Sequence, residues 1–219
     1  MMLSPTETLI EIRDARQLKA MTGVTPSQLE ILAQEFAQVE AEARPAKYEH
    51  AVLTGRRTRQ PGGGRQGILT TTTSKLLFIL VYGKTYPTYD DLGSRFGMSK
   101  SAAFDNLGVY FPLVQEALAR LGVLPHRTFQ SIDEFREALA GVEEIIIDVT
   151  ERRQVRPKDP VPQKDCYSGK KNMHTAKNTV MVTVTTFIWF LGQTFGGRHQ
   201  DYKIFPEEFP TTEAWFEPL

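Results

Sequence analysis

Cysteine is nearly absent: Cys166 is the only one in 219 residues. That excludes an internal disulfide framework and a cysteine-rich zinc site, and it fits a reducing compartment. Cys166 lies in a polar loop beside Asp165 with no histidine tied to it by a recognisable spacing, so cysteine-nucleophile chemistry has little support. The four histidines form no zinc pattern. No apolar run approaches the ~18 to 20 residues of a membrane span. The opening MMLSPTETLIEIRDARQ has no basic region leading into an apolar stretch. The expectation is a cytoplasmic protein with no membrane partner. Net charge is missing too, because 26 Lys+Arg balance 26 Asp+Glu. Any argument for a polyanionic partner must therefore rest on how the charge is distributed.

What is present is an ordinary globular composition, 41% apolar and 24% charged, enough for a core and for two modules. From Pro26 to Ala43, Leu29, Leu32, Ala33, Phe36 and Val39 recur at helical spacing. Thr25, Pro26 and Gln28 read as N-cap, first-turn proline and capping-box partner. The run GRRTRQPGGGRQG then places Arg56, Arg57, Arg59 and Arg65 among five glycines and one proline. It reads either as a solvated loop or as a basic arm along DNA phosphates.

The segment SKLLFILVYGKTYPTYDDLGSRFGMSKSAAFDNLGVYF reads as a helix near Ser74 to Tyr82, a turn at Pro87 and two short helices. Leu92 and Phe96 would face a core, and Gly93 would let the next helix cross closely. Gly97 can supply the positive φ of a tight turn, and Ser99 can cap a helix suited to a major groove. This is a helix-turn-helix pattern, with Ser99 and Lys100 as candidate DNA contacts. Asn106 falls where an aliphatic side chain is often buried, and Asp105 would bring negative charge near phosphates. A helical packing unit without DNA contact therefore stays open. A further helix is expected from Val114 to Leu121, and another in SIDEFREALAG, where Phe135 and Leu139 share a face and Gly141 stops the helix. These would bridge two modules.

After Gly141 the period changes. EEIIIDVT reads as a strand buried on both faces, and NTVMVTVTTFIWFLGQTF as one or two more. Asp148 follows three isoleucines, so its carboxylate is either solvated or bonded to Thr150 at a strand end, or it binds a divalent metal. Arg152 to Lys177 is the most basic stretch, with Lys170, Lys171, His174 and Lys177 as candidate DNA contacts and Tyr167 interleaved.

In order, Asp148-Val-Thr-Glu151, Arg156-Pro157, Tyr167-Ser-Gly-Lys-Lys171, His174-Thr-Ala-Lys-Asn178 and Gly196-Gly-Arg-His-Gln-Asp201-Tyr202 resemble the catalytic-domain opening of bacterial insertion-sequence transposases of the DDE superfamily, the PIF/Harbinger-like kind. LLFILVYGKTYPTYDDLGSRFGMS is similar to the helix-turn-helix that precedes that domain. The resemblance implies an α+β chain, an all-helical helix-turn-helix module followed by an incomplete RNase H-like α/β domain. The expected division is a helical segment over 1–54, a basic Gly-rich linker over 55–67, the helix-turn-helix with bridging helices over 68–141, and the partial catalytic domain over 142–219. In the complete family member an acidic triad holds Mg²⁺ or Mn²⁺ for DNA strand cleavage and transfer. Asp148 matches the first carboxylate, catalytic and metal-binding. The second and third have no counterpart here, which implies a truncated, catalytically incomplete form. Asp201 matches an aspartate that opens a later helix, which gives it a capping or positioning role. The turn within VTVTTFIWFL, only Thr185 and Thr186, is shorter than the family's, and a deletion there would disturb the hairpin register. The implied partner is DNA at transposon ends, with self-association or a C-terminal partner fragment alongside. The alternative is a non-enzymatic DNA-binding regulator or inhibitor of transposition.

Overall fold

The computed structural model describes residues 12–56, 67–142, 144–184, 187–210, 212, 215 and 216, with backbone alone at 44–47. The chain divides into two compact units, residues 1–123 and 124–219. The division falls after Val123 rather than after Gly141, because the segment around Phe135 packs into the sheet's core instead of bridging two modules.

The first unit is helical. Helices α1 (Ala15–Thr22), α2 (Pro26–Leu53), α3 (Thr72–Thr85), α4 (Tyr89–Arg95) and α5 (Lys100–Arg120) share one core. Thr25 and Gln28 form the expected capping box of α2. The helix runs on past Ala43 because Phe36 and Val39 pack beneath α3 and α5 and hold its stem. A second capping box, Thr71 with Ser74, starts α3, whose Leu76, Leu77, Phe78 and Val81 are fully buried. One charged pair is buried here: Lys75 Nζ on α3 reaches Glu40 Oε1 on α2 at 2.5 Å. Such a pair holds register between helices, since either charge alone would be expensive to bury.

The expected separate helix from Val114 is instead the second half of α5, which continues through Pro112. Pro112 and Gly108 both lie on the exposed side of α5, so the carbonyl deprived of its partner faces water. Val114 and Ala117 stay packed in the core, and tertiary burial outweighs the proline. Arg120 closes the far end of α5 against Glu42 at 2.7 Å and Glu116 at 2.9 Å. Their hydrogen bonds and charge raise its pKa, and the same contact holds Glu42 below the usual carboxylate range.

The second unit is a sheet with helices. After α6 (Ile132–Ala138) come β1 (Ile145–Arg153), α7 (Pro160–Asp165), β2 (Tyr167–Ser168), β3 (Met173–Thr183), β4 (Ile188–Leu191), β5 (Phe195–Gly196) and α8 (Asp201–Glu208). β3 is the hub and pairs antiparallel with every other strand. The β3–β4 register shifts between Met181 and Val182, which leaves Trp189 as the extra residue of a bulge. Thr185 and Thr186 lie outside the described residues. A largely aromatic core of Phe135, Trp189, Phe190 and Phe209, with Met181, covers one face. Phe129 stacks on Trp189 at 5.3 Å, and the Trp189 indole donates to the Ala138 carbonyl at 3.2 Å.

β1 is not buried on both faces as its three isoleucines suggest. Ile146 is 57% exposed and Ile147 39%. Among the described residues β1 pairs with β3 alone, so it is an edge strand. Its apolar side chains outnumber the positions that the aromatic layer covers.

Candidate nucleic-acid interface

The helix-turn-helix is built from small residues at two points. An added Cβ on Gly93 would lie 2.6 Å from the Met98 carbonyl oxygen, so only glycine lets the chain double back here. Gly97 carries the turn at φ 67°, and the Met98 N–H closes it by donating to the Gly93 carbonyl at 2.8 Å. Leu92 and Phe96 are buried as expected, Phe96 meeting Phe78 edge-on at 5.1 Å. The Ser99 hydroxyl accepts from the Ala102 N–H at 3.2 Å and caps α5. Asn106 is half-buried, and its amide donates to the Ala102 carbonyl at 2.7 Å and reaches the Met98 sulfur at 3.7 Å.

The exposed stripe of α5 is formed by Lys100, Ser101, Phe104, Asp105 and Gly108. Phe104 is 58% exposed and leans on the ring of Tyr89 at 5.5 Å. Charge on this surface is locally balanced, with Lys100 3.4 Å from Asp90 and Arg95 2.9 Å from Asp91. Arg56 is exposed just beyond α2; Arg57, Arg59 and Arg65 lie outside the described residues.

On the sheet unit the basic stretch separates into three environments. Lys170 and Lys171 are exposed at the tip of the β2–β3 hairpin, where Asn172 takes the left-handed turn position at φ 52°. Lys177 is 5% exposed, and its ammonium is spent on Asp201 at 2.8 Å and the His199 carbonyl at 2.7 Å. This corrects its assignment as a DNA contact: mid-strand on β3, its side chain anchors the start of α8 from inside. Asp201 is the first residue of α8, one position after the N-cap Gln200. His174 lines a cleft of about 650 Å³ with Arg156, Gln163, Lys164, Tyr167 and Arg198.

That cleft is the feature the residue pattern missed, since four separate segments build it. Gly196 and Gly197 make it possible, because a Cβ on either would strike Asp165, or Thr175 and the Cys166 carbonyl. The Gly197 N–H donates to the Thr175 carbonyl at 2.9 Å and the Arg198 N–H to the Asp165 carbonyl at 3.0 Å. Arg198 is therefore set by backbone. Arg156 is steadied by Gln163 at 3.1 Å, and the Tyr167 and His174 rings meet at 5.5 Å. The sequence signals were the basic stretch from Arg152 to Lys177, with Tyr167 interleaved, and the distant GGRH tetrapeptide that supplies Arg198.

Asp148 is exposed on β1, and its Oδ1 accepts from the Val149 N–H at 2.8 Å. No bond to Thr150 accompanies it. Strand alternation puts Asp148 on one face of the sheet and Glu151 on the other, facing Lys177 and hence Asp201. Desolvation pushes Glu151 up, but bonds from Ser168 and Thr175 and the charges of Lys177 and Lys171 outweigh it and hold the carboxyl below its usual range. Mg²⁺ is held by one or two carboxylates together with waters and phosphate oxygens. Among the described residues no group of three His, Cys, Asp or Glu side chains is placed to hold a metal, and neither Glu151 nor Asp201 shares a face with Asp148. The described residues do not by themselves form the implied metal site.

Residues 69–105 match the model of a family described as the helix-turn-helix of DDE superfamily endonuclease. The matched segment runs from just before α3 into the first turns of α5 and takes in the whole turn motif. No curated protein and no solved structure matches the chain. No helix among the described residues is long and apolar enough to cross a membrane.

Proposed function

We propose that this chain is a DNA-binding protein of the DDE transposase kind, which reads duplex DNA, the ends of a mobile element, with α5 in the major groove. The observation that carries this is the α4–Gly97–α5 geometry, with an exposed stripe on α5, inside the segment that matches the family. Lys100 supplies a phosphate contact, the Phe104 ring can meet a thymine methyl, and Asp105 can accept from a cytosine amino group. The test is selection of bound duplexes from a randomised pool, followed by affinity measurements. A consensus is expected to enrich. Phe104→Ala and Asp105→Ala should each relax preference at one position, at a cost of about 1–3 kcal/mol per lost base contact. Enrichment of no sequence, or preference indifferent to both substitutions, would overturn the reading.

The second reading is enzymatic: an RNase H-like unit with Asp148 as the first catalytic carboxylate. Its support is an exposed aspartate on β1, followed by two more principal strands, β3 and β4, and then a helix opened by Asp201. Carboxylates beyond the described residues, on a partner fragment or on a second copy, would have to complete the site. Nicking of duplex DNA in Mg²⁺ or Mn²⁺, abolished by Asp148→Ala, is the result this reading requires. Sequence-specific binding without nicking leaves the regulator.

A further inference from the structure

The cleft lies on the sheet unit, and its chemistry differs from that of the turn motif. Arg156, Lys164 and Arg198 come from three separate segments to one concavity, and among the described residues no carboxylate lines it. Three exposed cations on one concavity without an acidic counterpart make a positive surface suited to an anion. The cleft's volume of about 650 Å³ far exceeds a single phosphate. Beyond its rim the exposed Lys170 and Lys171 prolong the positive surface along the β2–β3 hairpin. A small anion leaves those two lysines unused, whereas a chain of phosphates uses them.

The second feature is aromatic. Tyr167 is 43% exposed inside this cationic cleft and is braced edge-on by His174 at 5.5 Å. A ring presented among cations receives an unpaired base, while a duplex keeps its own bases stacked and has nothing to place there. We propose that the cleft is a second nucleic-acid site. It takes a single DNA strand, the phosphates on Arg156, Lys164 and Arg198 and one unstacked base on Tyr167. Nothing in this depends on α5 reading a duplex.

The experiment uses the full chain and a fluorescent oligothymidylate of roughly 12 nucleotides, within the usual span of single-strand sites, followed by anisotropy over a range of salt. The chain is expected to bind it. Arg156→Gln/Arg198→Gln should weaken that binding tenfold or more, and should flatten the slope of log K on log salt by about 1.4, at roughly 0.7 per lost contact on a single strand. Tyr167→Ala should cost about tenfold and Tyr167→Phe almost nothing, which separates a stacking face from a hydroxyl contact; circular dichroism checks that each variant is folded. Phe104→Ala, on α5, should leave the single-strand affinity unchanged, so failure of the duplex reading and failure of this one are told apart. Unchanged affinity and slope in the double arginine variant would overturn the proposal. So would equal losses for Tyr167→Phe and Tyr167→Ala. Full displacement of the oligonucleotide by inorganic phosphate at matched ionic strength would also overturn it, reassigning the cleft to a small anion.

Discussion

In the helical unit, Arg95, Lys100 and Arg120 each stand beside a carboxylate, whereas the cleft of the sheet unit gathers Arg156, Lys164 and Arg198 with none among the described residues. A chain with no net charge has therefore sorted its charge by region. The turn motif carries its information in shape, in two glycines and an exposed helical stripe, with electrostatics locally neutralised. The cleft carries its information in charge and one ring. Zero net charge said nothing against a polyanionic partner because it averages two surfaces of different kinds.

Both tryptophans, Trp189 and Trp215, belong to the sheet unit, while most helix lies in the other. Tryptophan fluorescence and helical circular dichroism therefore report different units, and each substitution below can be assigned to one. The largest expected effect is Lys75→Ala, which removes one half of the buried Lys75–Glu40 ion pair. About 3–5 kcal/mol should be lost from the helical transition, with the fluorescence transition unmoved. A common shift of both signals would mean the two units unfold as one. Gly93→Ala comes next at about 1–3 kcal/mol, because a methyl must displace the Met98 carbonyl. It should also reduce duplex affinity, by tilting α5 against α4.

The smaller effects contrast two carboxyls within the sheet unit. Glu151 has its folded pKa lowered, so its stabilisation is present above the unfolded pKa and is lost as pH falls through the acid range. Glu151→Gln should flatten the acid side of the fluorescence-detected stability profile. Glu208 behaves oppositely. Burial pushes its carboxyl up against the pull of Thr179 and the Gln193 N–H, so ionisation weakens the fold as pH rises through the folded pKa. Glu208→Gln should raise the melting midpoint at pH 7 by roughly 1–2 °C, given the sensitivity of a domain this size, and leave it unchanged at pH 3. A rise at both pH values would show that packing, not charge, is responsible.

Much of the helical unit was legible in the residues. Thr25 and Gln28 mark a helix start by chemistry that acts over four residues. Leu92, Gly93, Phe96, Gly97 and Ser99 specify the turn within eight. What the residues hid depended on distant partners. A further helix was expected from Val114, whereas α5 runs on through Pro112: the proline's cost is local, while the burial of Val114 and Ala117 that offsets it comes from packing with other helices. Lys177 looked like a surface lysine in a basic run. Only the pairing of β3 with β1 and the approach of α8 turn it inward. Three isoleucines before Asp148 implied two covering layers, and the described residues supply one. The cleft was least legible of all: Arg156, Lys164 and Tyr167 lay in a basic stretch already visible, but nothing local said that they share a concavity, or that Arg198 joins them once the sheet forms.

The glycine pair at 196–197 gives that cleft an engineering property. Its two walls are stitched main chain to main chain, from Gly197 to Thr175 and from Arg198 to Asp165, so the mould does not depend on the side chains that coat it. The lining can be exchanged, cation for neutral or neutral for acid, with the cast unaltered. A single methyl at either glycine acts as a wedge and parts the mould itself.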